Sequence, residues 1–239
     1  MKLTQTFSVI SLALATSFAF ANDQISSIDN LSVEDAKYFE IASVNVEDVS
    51  NEMGVCPDVN TSNELVPFQS VDTIADLAVK LDEIVNLGQK VWNLVEAGKP
   101  VMTTQWQTAS AIPQGVTNWD QMAGWKMPES RAYRVRFVNV YGMTMVDFVY
   151  RLNYTFGGSY KGQGQYLTRV SAMSESLAVA WGFNFDGSVE VQSVANGGTT
   201  ESPIALMELI VKWKMKTPVR VSEGSSAYAI SGDGTFKAL

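Results

Sequence analysis

The sequence predicts a mainly β protein, an antiparallel β-sandwich or curved sheet with one long amphipathic helix packed against it and an acidic arm before it. Three observations support this prediction. Apolar and polar residues alternate along most of the chain after residue 132. Short runs rich in Gly, Asn and Asp separate the alternating stretches, as in antiparallel sheets. Before them, one stretch has apolar residues at steps of three and four, which is typical of a helix.

The N-terminus has the pattern of a secretory signal peptide. Lys2 precedes an uncharged apolar stretch over residues 7–20, and Ala19-Phe20-Ala21 has the small residues of a cleavage site. Residues 1–21 are therefore predicted to be removed, and the protein is predicted to be exported to the periplasm or the outside of a bacterial cell. No later stretch has the roughly 20 apolar residues that a membrane helix needs, so an integral helical membrane protein is not expected.

An acidic arm over residues 22–66 is predicted next. It contains ten acidic residues and one base, Lys37, whereas residues 67–239 have fifteen acids and fifteen bases. Ser32 and Asp35 stand at the start of an apolar run and predict a short helix that docks on the body. Residues 67–239 are predicted to form a single β-rich domain.

The long helix is predicted over residues 71–97, with Gly98 and Pro100 beyond its end. Its apolar stripe consists of Ile74, Leu77, Ala78, Leu81, Ile84, Val85, Gly88, Val91, Trp92 and Val95.

About seven strands are predicted after residue 132. The clearest alternation covers residues 144–156, 177–185 and 207–215. Gly157-Gly158 follows the first of these runs and predicts a hairpin turn.

Composition excludes several chemistries. The chain has no histidine, so Ser-His-Asp and Cys-His catalysis and His-ligated metal sites are excluded within one chain. The net charge of −8 makes a nucleic-acid partner unexpected. Cys56 is the only cysteine, so a disulfide could form only with another molecule, as in a dimer linked through Cys56. No cofactor, metal site or catalytic residue is predicted.

Aromatic residues are the predicted ligand-binding site. Three tryptophans lie in or beside a turn-rich segment, and two tyrosines flank a glycine-rich stretch at residues 157–164. Exposed aromatic rings bind sugars by stacking or seat a protein at a membrane interface. The predicted site residues are Trp106, Trp119, Trp125, Tyr160 and Tyr166.

Alternate basic residues on two predicted strands suggest a basic face. If the two strands are neighbours, their basic side chains form one stripe. Such a stripe would dock the acidic arm or attract anionic lipid or lipopolysaccharide. The residues are Arg134, Arg136, Lys212, Lys214 and Lys216.

These patterns favour an exported, non-catalytic binding or interaction protein of the bacterial cell envelope, with an envelope protein, a glycan or a lipid as its partner. One alternative is a membrane-active or lipid-associated β protein that resembles pore formers in behaviour. A second alternative is a hydrolase that uses two carboxylates about 5–10 Å apart. Its candidate carboxylates are Asp147, Glu175, Asp186, Glu190 and Glu208.

Overall fold

The computed structural model describes residues 32–52, 79–101 and 107–239. These residues contain twelve strands, one short α-helix and one 3-10 turn. The predicted signal peptide, Cys56 and Trp106 lie outside the described residues. In chain order the elements are α1 (Val33–Tyr38), β1 (Ile41–Asp48), β2 (Lys80–Gly88), β3 (Val91–Glu96), β4 (Lys99–Pro100), β5 (Ala109–Gln114), the 3-10 turn (Trp119–Gln121), β6 (Glu129–Asn139), β7 (Thr144–Tyr160), β8 (Gln163–Val179), β9 (Asn184–Asn196), β10 (Ala205–Lys216), β11 (Val221–Ser231) and β12 (Phe236–Ala238).

The strands form two six-stranded sheets with antiparallel pairing. The first sheet has the order β1-β6-β7-β8-β5-β2, and the second has the order β12-β11-β10-β9-β3-β4. Several register shifts interrupt the ladders, four of them between β7 and β8, and such bulges bend and twist strands. The prediction of a mainly β, antiparallel sandwich of curved sheets is confirmed.

The core lies between the sheets and consists of the side chains that alternate inward. The even-numbered residues of 146–154 in β7 and the odd-numbered residues of 207–215 in β10 are buried. The hydroxyls of Tyr150 in β7 and Tyr228 in β11 lie 2.6 Å apart, so one hydrogen bond joins the two sheets through the core. Burial raises the pKa of the Tyr150 hydroxyl, which therefore stays protonated.

The predicted long helix at residues 71–97 is wrong for the residues that the structure describes. Residues 80–88 and 91–96 are β2 and β3, and residues 71–78 lie outside the described part. Apolar residues at steps of three and four also fit two strands joined by a corner, with Trp92 and Leu94 pointing inward. Gly88 has a φ of +116°, and a Cβ there would lie 2.3 Å from the carbonyl oxygen of Thr108. That residue marks the corner between two sheets, where a helix cannot continue.

The hairpin between β7 and β8 turns later than Gly157-Gly158 predicts. Both glycines lie within β7, and Tyr160 pairs with Gln163 across a two-residue turn. The two turn residues, Lys161 and Gly162, have φ values of +50° and +80°. Positive φ at both positions is the type I′ geometry that matches the twist of a hairpin.

The N-terminal acidic segment contributes to the body of the fold. After α1, strand β1 pairs with β6 at the edge of the first sheet. Phe39, between the two elements, is buried and packs with Phe183 at a centroid distance of 5.4 Å. Among the described residues, no helix has the length and apolar character needed to cross a membrane.

Candidate ligand-binding site

A cavity of about 390 Å³ lies on the outer face of the first sheet, over the middle of β7 and β8. It lies on this face because the odd-numbered residues of β7 point away from the core. Most of its lining side chains are polar and uncharged, with one cation. They are Thr108, Asn153, Thr155, Arg169 and Ser171, beside Pro128 and Met173.

Arg169 adopts an unusual backbone conformation within a strand. Its φ is +53°, in the left-handed region that side chains other than glycine rarely adopt. The other two non-glycine residues with positive φ among the described residues, Ala97 and Lys161, lie in turns beside glycines. Arg169 instead lies at a bulge, where it and Val170 face the single residue Tyr154 of β7. A strained residue inside a strand is a reason to suspect a functional role.

The Arg169 guanidinium stacks on an exposed ring. Its central carbon lies 5.5 Å from the ring centroid of Trp119, which is 41% exposed. Cation–π stacking orients a guanidinium without neutralising its charge. In the described part of the chain, no carboxylate lies within ion-pair distance of Arg169. The cavity therefore has one oriented cation whose N–H groups can donate to an anionic ligand.

Uncharged polar groups surround this cation. Asn153 lies opposite Ser171 in the pairing of β7 and β8, and Thr155 follows on the same face of β7. No hydrogen bond to another described residue occupies the side chains of these three residues. They can therefore donate to and accept from a ligand with hydroxyl groups.

The loop before β6 holds Trp119 in place. The indole of Trp125 donates to the carbonyl oxygen of Trp119 at 3.3 Å, and its ring covers Gly158 of β7. A Cβ at Gly158 would lie 2.4 Å from the Trp125 ring, so only glycine allows this packing. The backbone of Ala123 pairs with that of Ser159, which fixes the loop to the end of β7.

The structure brings together only part of the predicted aromatic site. Trp119 and Trp125 are in contact, whereas Trp106 lies outside the described residues. The ring of Tyr160 lies 5.5 Å from the ammonium of Lys161 and does not line the cavity. Tyr166 is a core residue whose hydroxyl donates to the carbonyl oxygen of Leu81 at 2.8 Å. Burial raises the pKa of Tyr166 to about 12.

The predicted basic residues divide between the two sheets. Arg134 and Arg136 lie on β6 in the first sheet, whereas the three lysines lie on β10 in the second, so the two strands are not neighbours. Arg134 pairs with Asp147 at 3.0 Å, and Arg136 pairs with Glu47 at 2.6 Å. These carboxylates reduce the attraction of the arginines for an anionic surface.

A groove of about 680 Å³ on the outer face of the second sheet is lined by Lys212 and Lys214, two of the three lysines of β10. Each lysine meets a carboxylate of a neighbouring strand. The pairs are Lys212 with Glu190 at 2.5 Å, Lys214 with Glu223 at 2.5 Å, and Lys216 with Asp186 at 3.5 Å. The groove therefore alternates in sign and has no net excess of positive charge along β10.

The carboxylates of the hydrolase alternative also have partners. Asp147, Asp186 and Glu190 are ion-paired as above, Glu175 pairs with Arg151, and Glu208 accepts from Ser193 at 3.2 Å. The hydrogen bond from Lys212 lowers the pKa of Glu190, and a catalytic acid needs the opposite shift. Among the described residues, no group of three or more acidic or cysteine side chains is placed to hold a metal ion.

Sequence reasoning missed Arg169, Asn153, Thr155 and Ser171. An arginine between Thr168 and Val170 has no distinguishing pattern, because its backbone conformation depends on a bulge in the pairing of β7 and β8. Only the tryptophan-rich segment pointed to this region.

Comparison of the chain with protein-family models, with curated proteins and with solved structures found no match.

Proposed function

We propose that the protein is an exported, non-catalytic binding module of the bacterial cell envelope that binds an anionic saccharide in the cavity beside Trp119. The observation that supports this proposal is the placement of Arg169. Its guanidinium is stacked on Trp119, has no carboxylate partner among the described residues, and lines a cavity with amide and hydroxyl groups.

A saccharide matches the chemistry of this cavity. Sugar hydroxyls both donate and accept, as do the side chains of Asn153, Thr155 and Ser171. The exposed part of the Trp119 ring offers an apolar surface to the C–H face of a sugar ring. A carboxylate on the saccharide would accept two hydrogen bonds from Arg169, the strongest arrangement available to a guanidinium.

The proposal can be tested by calorimetric titration with two probes. One is an oligosaccharide of galacturonic acid, and the other is a galactose oligosaccharide of the same length, which lacks the carboxylates. We expect tighter binding of the carboxylated probe, with a preference that declines as salt is added because screening weakens the charge interaction.

Two variants separate the contributions to binding. Arg169→Gln is expected to weaken binding of the carboxylated probe about tenfold or more while leaving the neutral probe nearly unaffected. Trp119→Ala is expected to weaken both probes, because it removes the stacking surface and the support of Arg169. Lys214→Gln is the matched control: it removes a cation that already has a carboxylate partner, Glu223, on the other sheet.

Failure of the wild-type protein to bind either probe would contradict the proposal. So would equal affinity for the two probes, or binding that survives both Arg169→Gln and Trp119→Ala.

A further inference from the structure

Strand β1 stands at one end of the strand order of the first sheet, and its pairing partner among the described residues is β6. Just beyond β1, the N–H of Val49 donates to the carbonyl oxygen of Ala132 at 2.9 Å. In the antiparallel register of β1 with β6, this bond makes the odd-numbered residues of β1 the ones that are hydrogen-bonded to β6. The even-numbered residues direct their N–H and C=O groups away from β6. They are Val44, Val46 and Asp48.

The other three sheet edges are short or carry features that hinder pairing with a further strand. β4 has two residues, one of which is Pro100, and β12 has three. β2 is longer, but three of its first four residues are charged and its register is interrupted there. β1 has neither lysine nor proline, its two acids stand at its last positions, and its register is regular over residues 43–48. Short length, proline, charges and bulges protect exposed edges, so β1 is the edge best able to accept a further strand.

The side chains of β1 that face the interior of the sandwich are apolar and uncovered. Val44 and Val46 lie opposite core residues of β6, yet they are 43% and 42% exposed. The second sheet therefore does not cover them. Beyond Asp48 the chain turns onto the outer face of the first sheet, where Val49 clusters with Val149 of β7. The described part of that turn therefore leaves the edge of β1 open.

We propose that two copies of the protein pair through β1 as antiparallel strands and extend the first sheet across a twofold axis. A strand satisfies such an edge because it offers a partner to each outward N–H and C=O group. In a register centred on Asn45, Val44 lies opposite Val46 of the second copy, and the four valines come together. The amides of the two Asn45 residues face each other on the outer side, where Ser43 lies opposite Glu47. Such twofold pairs are the commonest arrangement among protein oligomers.

The charges of β1 are compatible with this arrangement. Glu47 and Asp48 stand at one end of the strand, so antiparallel pairing places the acids of the two copies at opposite ends of the interface. The two Glu47 residues lie four positions apart along the ladder, which is about 13 Å and exceeds the screening length in physiological salt. Within each copy, Arg136 also pairs with Glu47. Asp48 of one copy lies near Glu40 of the other, so added salt is expected to strengthen the dimer by screening their repulsion.

Sedimentation equilibrium over a range of protein concentrations tests the proposal. A reductant is present, so that a disulfide through Cys56 cannot contribute. We expect a reversible equilibrium between monomer and dimer that added salt shifts toward the dimer.

Two variants at sheet edges test the role of β1. Val46→Lys is expected to weaken dimerisation about tenfold or more, because a charged side chain replaces a valine at the centre of the interface. Val85→Lys is the matched control: Val85 is 36% exposed on the edge strand β2, so this variant should dimerise like the wild type. Thermal unfolding at a concentration where the protein is monomeric shows whether each variant is folded.

A cysteine cross-link tests the register. In the proposed pairing, the two residues at position 45 form a non-hydrogen-bonded pair with a Cα–Cα distance of about 4.5 Å, which is within the range of a disulfide. Asn45→Cys/Cys56→Ser is therefore expected to form a disulfide-linked dimer on mild oxidation. Ser43→Cys/Cys56→Ser is the matched control, because the two residues at position 43 lie about 13 Å apart and should not cross-link.

A protein that stays monomeric at every concentration would overturn the proposal. So would a dimer that salt dissociates or that Val46→Lys leaves unchanged, since either result would indicate another interface. Cross-linking of Ser43→Cys/Cys56→Ser in preference to Asn45→Cys/Cys56→Ser would contradict the register and with it the proposal. The saccharide cavity lies over β7 and β8 rather than β1, so dimerisation and saccharide binding can fail separately.

Discussion

Cations on the outer faces of the two sheets have different partners. On the second sheet, the three lysines of β10 each meet a carboxylate on β9 or β11, and all three pairs are open to solvent. On the first sheet, Arg134, Arg136 and Arg151 are also ion-paired, but Arg169 stacks on the ring of Trp119. The second sheet thus neutralises the lysines of β10, whereas the first sheet leaves Arg169 oriented toward a cavity.

This difference shows why charge composition does not identify a binding face. Lysines at alternate positions of β10 would give a basic stripe if their neighbours were uncharged. The register instead places Asp186 and Glu190 on β9 and Glu223 on β11 beside them. A ligand for that face must separate ion pairs before it can bind, whereas a ligand for Arg169 needs only to displace water.

The largest expected effect concerns ion pairs on the two faces. The side chains of Arg151 and Glu175 on the first sheet are only 13% and 19% exposed, while those of Lys214 and Glu223 on the second are 43% and 62% exposed. Arg151→Met is expected to lower the free energy of unfolding by about 2–3 kcal/mol, because it leaves a largely buried carboxylate without its partner. Lys214→Met is expected to cost less than about 1 kcal/mol. Urea denaturation measures both.

A double-mutant cycle with Glu175→Gln separates the ion pair from the packing of the arginine. We expect Arg151→Met/Glu175→Gln to recover part of the stability, since the unpaired charge is gone. Equal losses for Arg151→Met and Lys214→Met would show that the two faces do not differ in this respect.

Backbone strain is expected to change the stability by less. The difference in stability between glycine and glutamine should have opposite signs at position 169 on the first sheet and position 214 on the second. At position 169, glycine is expected to be about 1 kcal/mol more stable than glutamine, because only glycine adopts a φ of +53° without strain. At position 214, inside a regular strand, glycine is expected to be less stable than glutamine. Both comparisons involve variants that lack the cation, so the loss of charge cancels. Thermal unfolding of the four variants measures the two differences.

If Arg169→Gly is no more stable than Arg169→Gln, the backbone at the bulge does not store strain, and the argument for a functional role loses that support. Arg169→Gly can instead be more stable than Arg169→Gln while binding the carboxylated saccharide no better. In that case the wild-type protein keeps an arginine in a strained conformation at a cost in stability. That result would agree with the proposed role of its guanidinium.

The alternating strands were predictable from the sequence because one side of each is buried. Residues 207–215 alternate strictly between buried and more exposed positions. The even-numbered residues of 146–154 lie in the core, but Met145, Val149 and Thr155 are buried as well, so the period is less regular in β7. The helix prediction over residues 71–97 failed because a change of sheet at Gly88 joins two short strands, β2 and β3, whose apolar residues together imitate helical spacing.

The candidate site was predictable only at Trp119 and Trp125, which stand out as aromatic residues in a turn-rich segment. Tyr166 is also an aromatic residue beside glycines, but it packs in the core. Its buried hydroxyl is satisfied there by the carbonyl oxygen of Leu81. The position of Arg169 depends on a bulge and on the pairing of β7 with β8. Both are properties of strand register, which alternation along one strand does not determine.

The smallest expected effect is the response of the second face to acid. Lys212 and Lys214 lower the pKa values of Glu190 and Glu223 below the ordinary 4.5, through a hydrogen bond and their charge. A carboxyl group whose pKa is lower in the folded state stabilises the fold above its unfolded pKa. That stabilisation declines as the pH falls through the lowered value. The side chains of Glu190 and Glu223 are 27% and 62% exposed, so solvent screens both interactions. The change in unfolding midpoint is therefore expected to be small and to shrink further in high salt.

Carboxyl NMR titrations of the two glutamates resolve this effect where unfolding curves do not. We expect titration midpoints below 4.5 in the wild type, with the midpoint of Glu190 returning toward 4.5 in Lys212→Gln and that of Glu223 in Lys214→Gln. Because each lysine has its own carboxylate, each substitution should move one midpoint and leave the other nearly in place. Two midpoints that move together would mean that the lysines act as a common positive field. The second face would then resemble the basic stripe that its sequence suggests more than the set of separate pairs that its register forms.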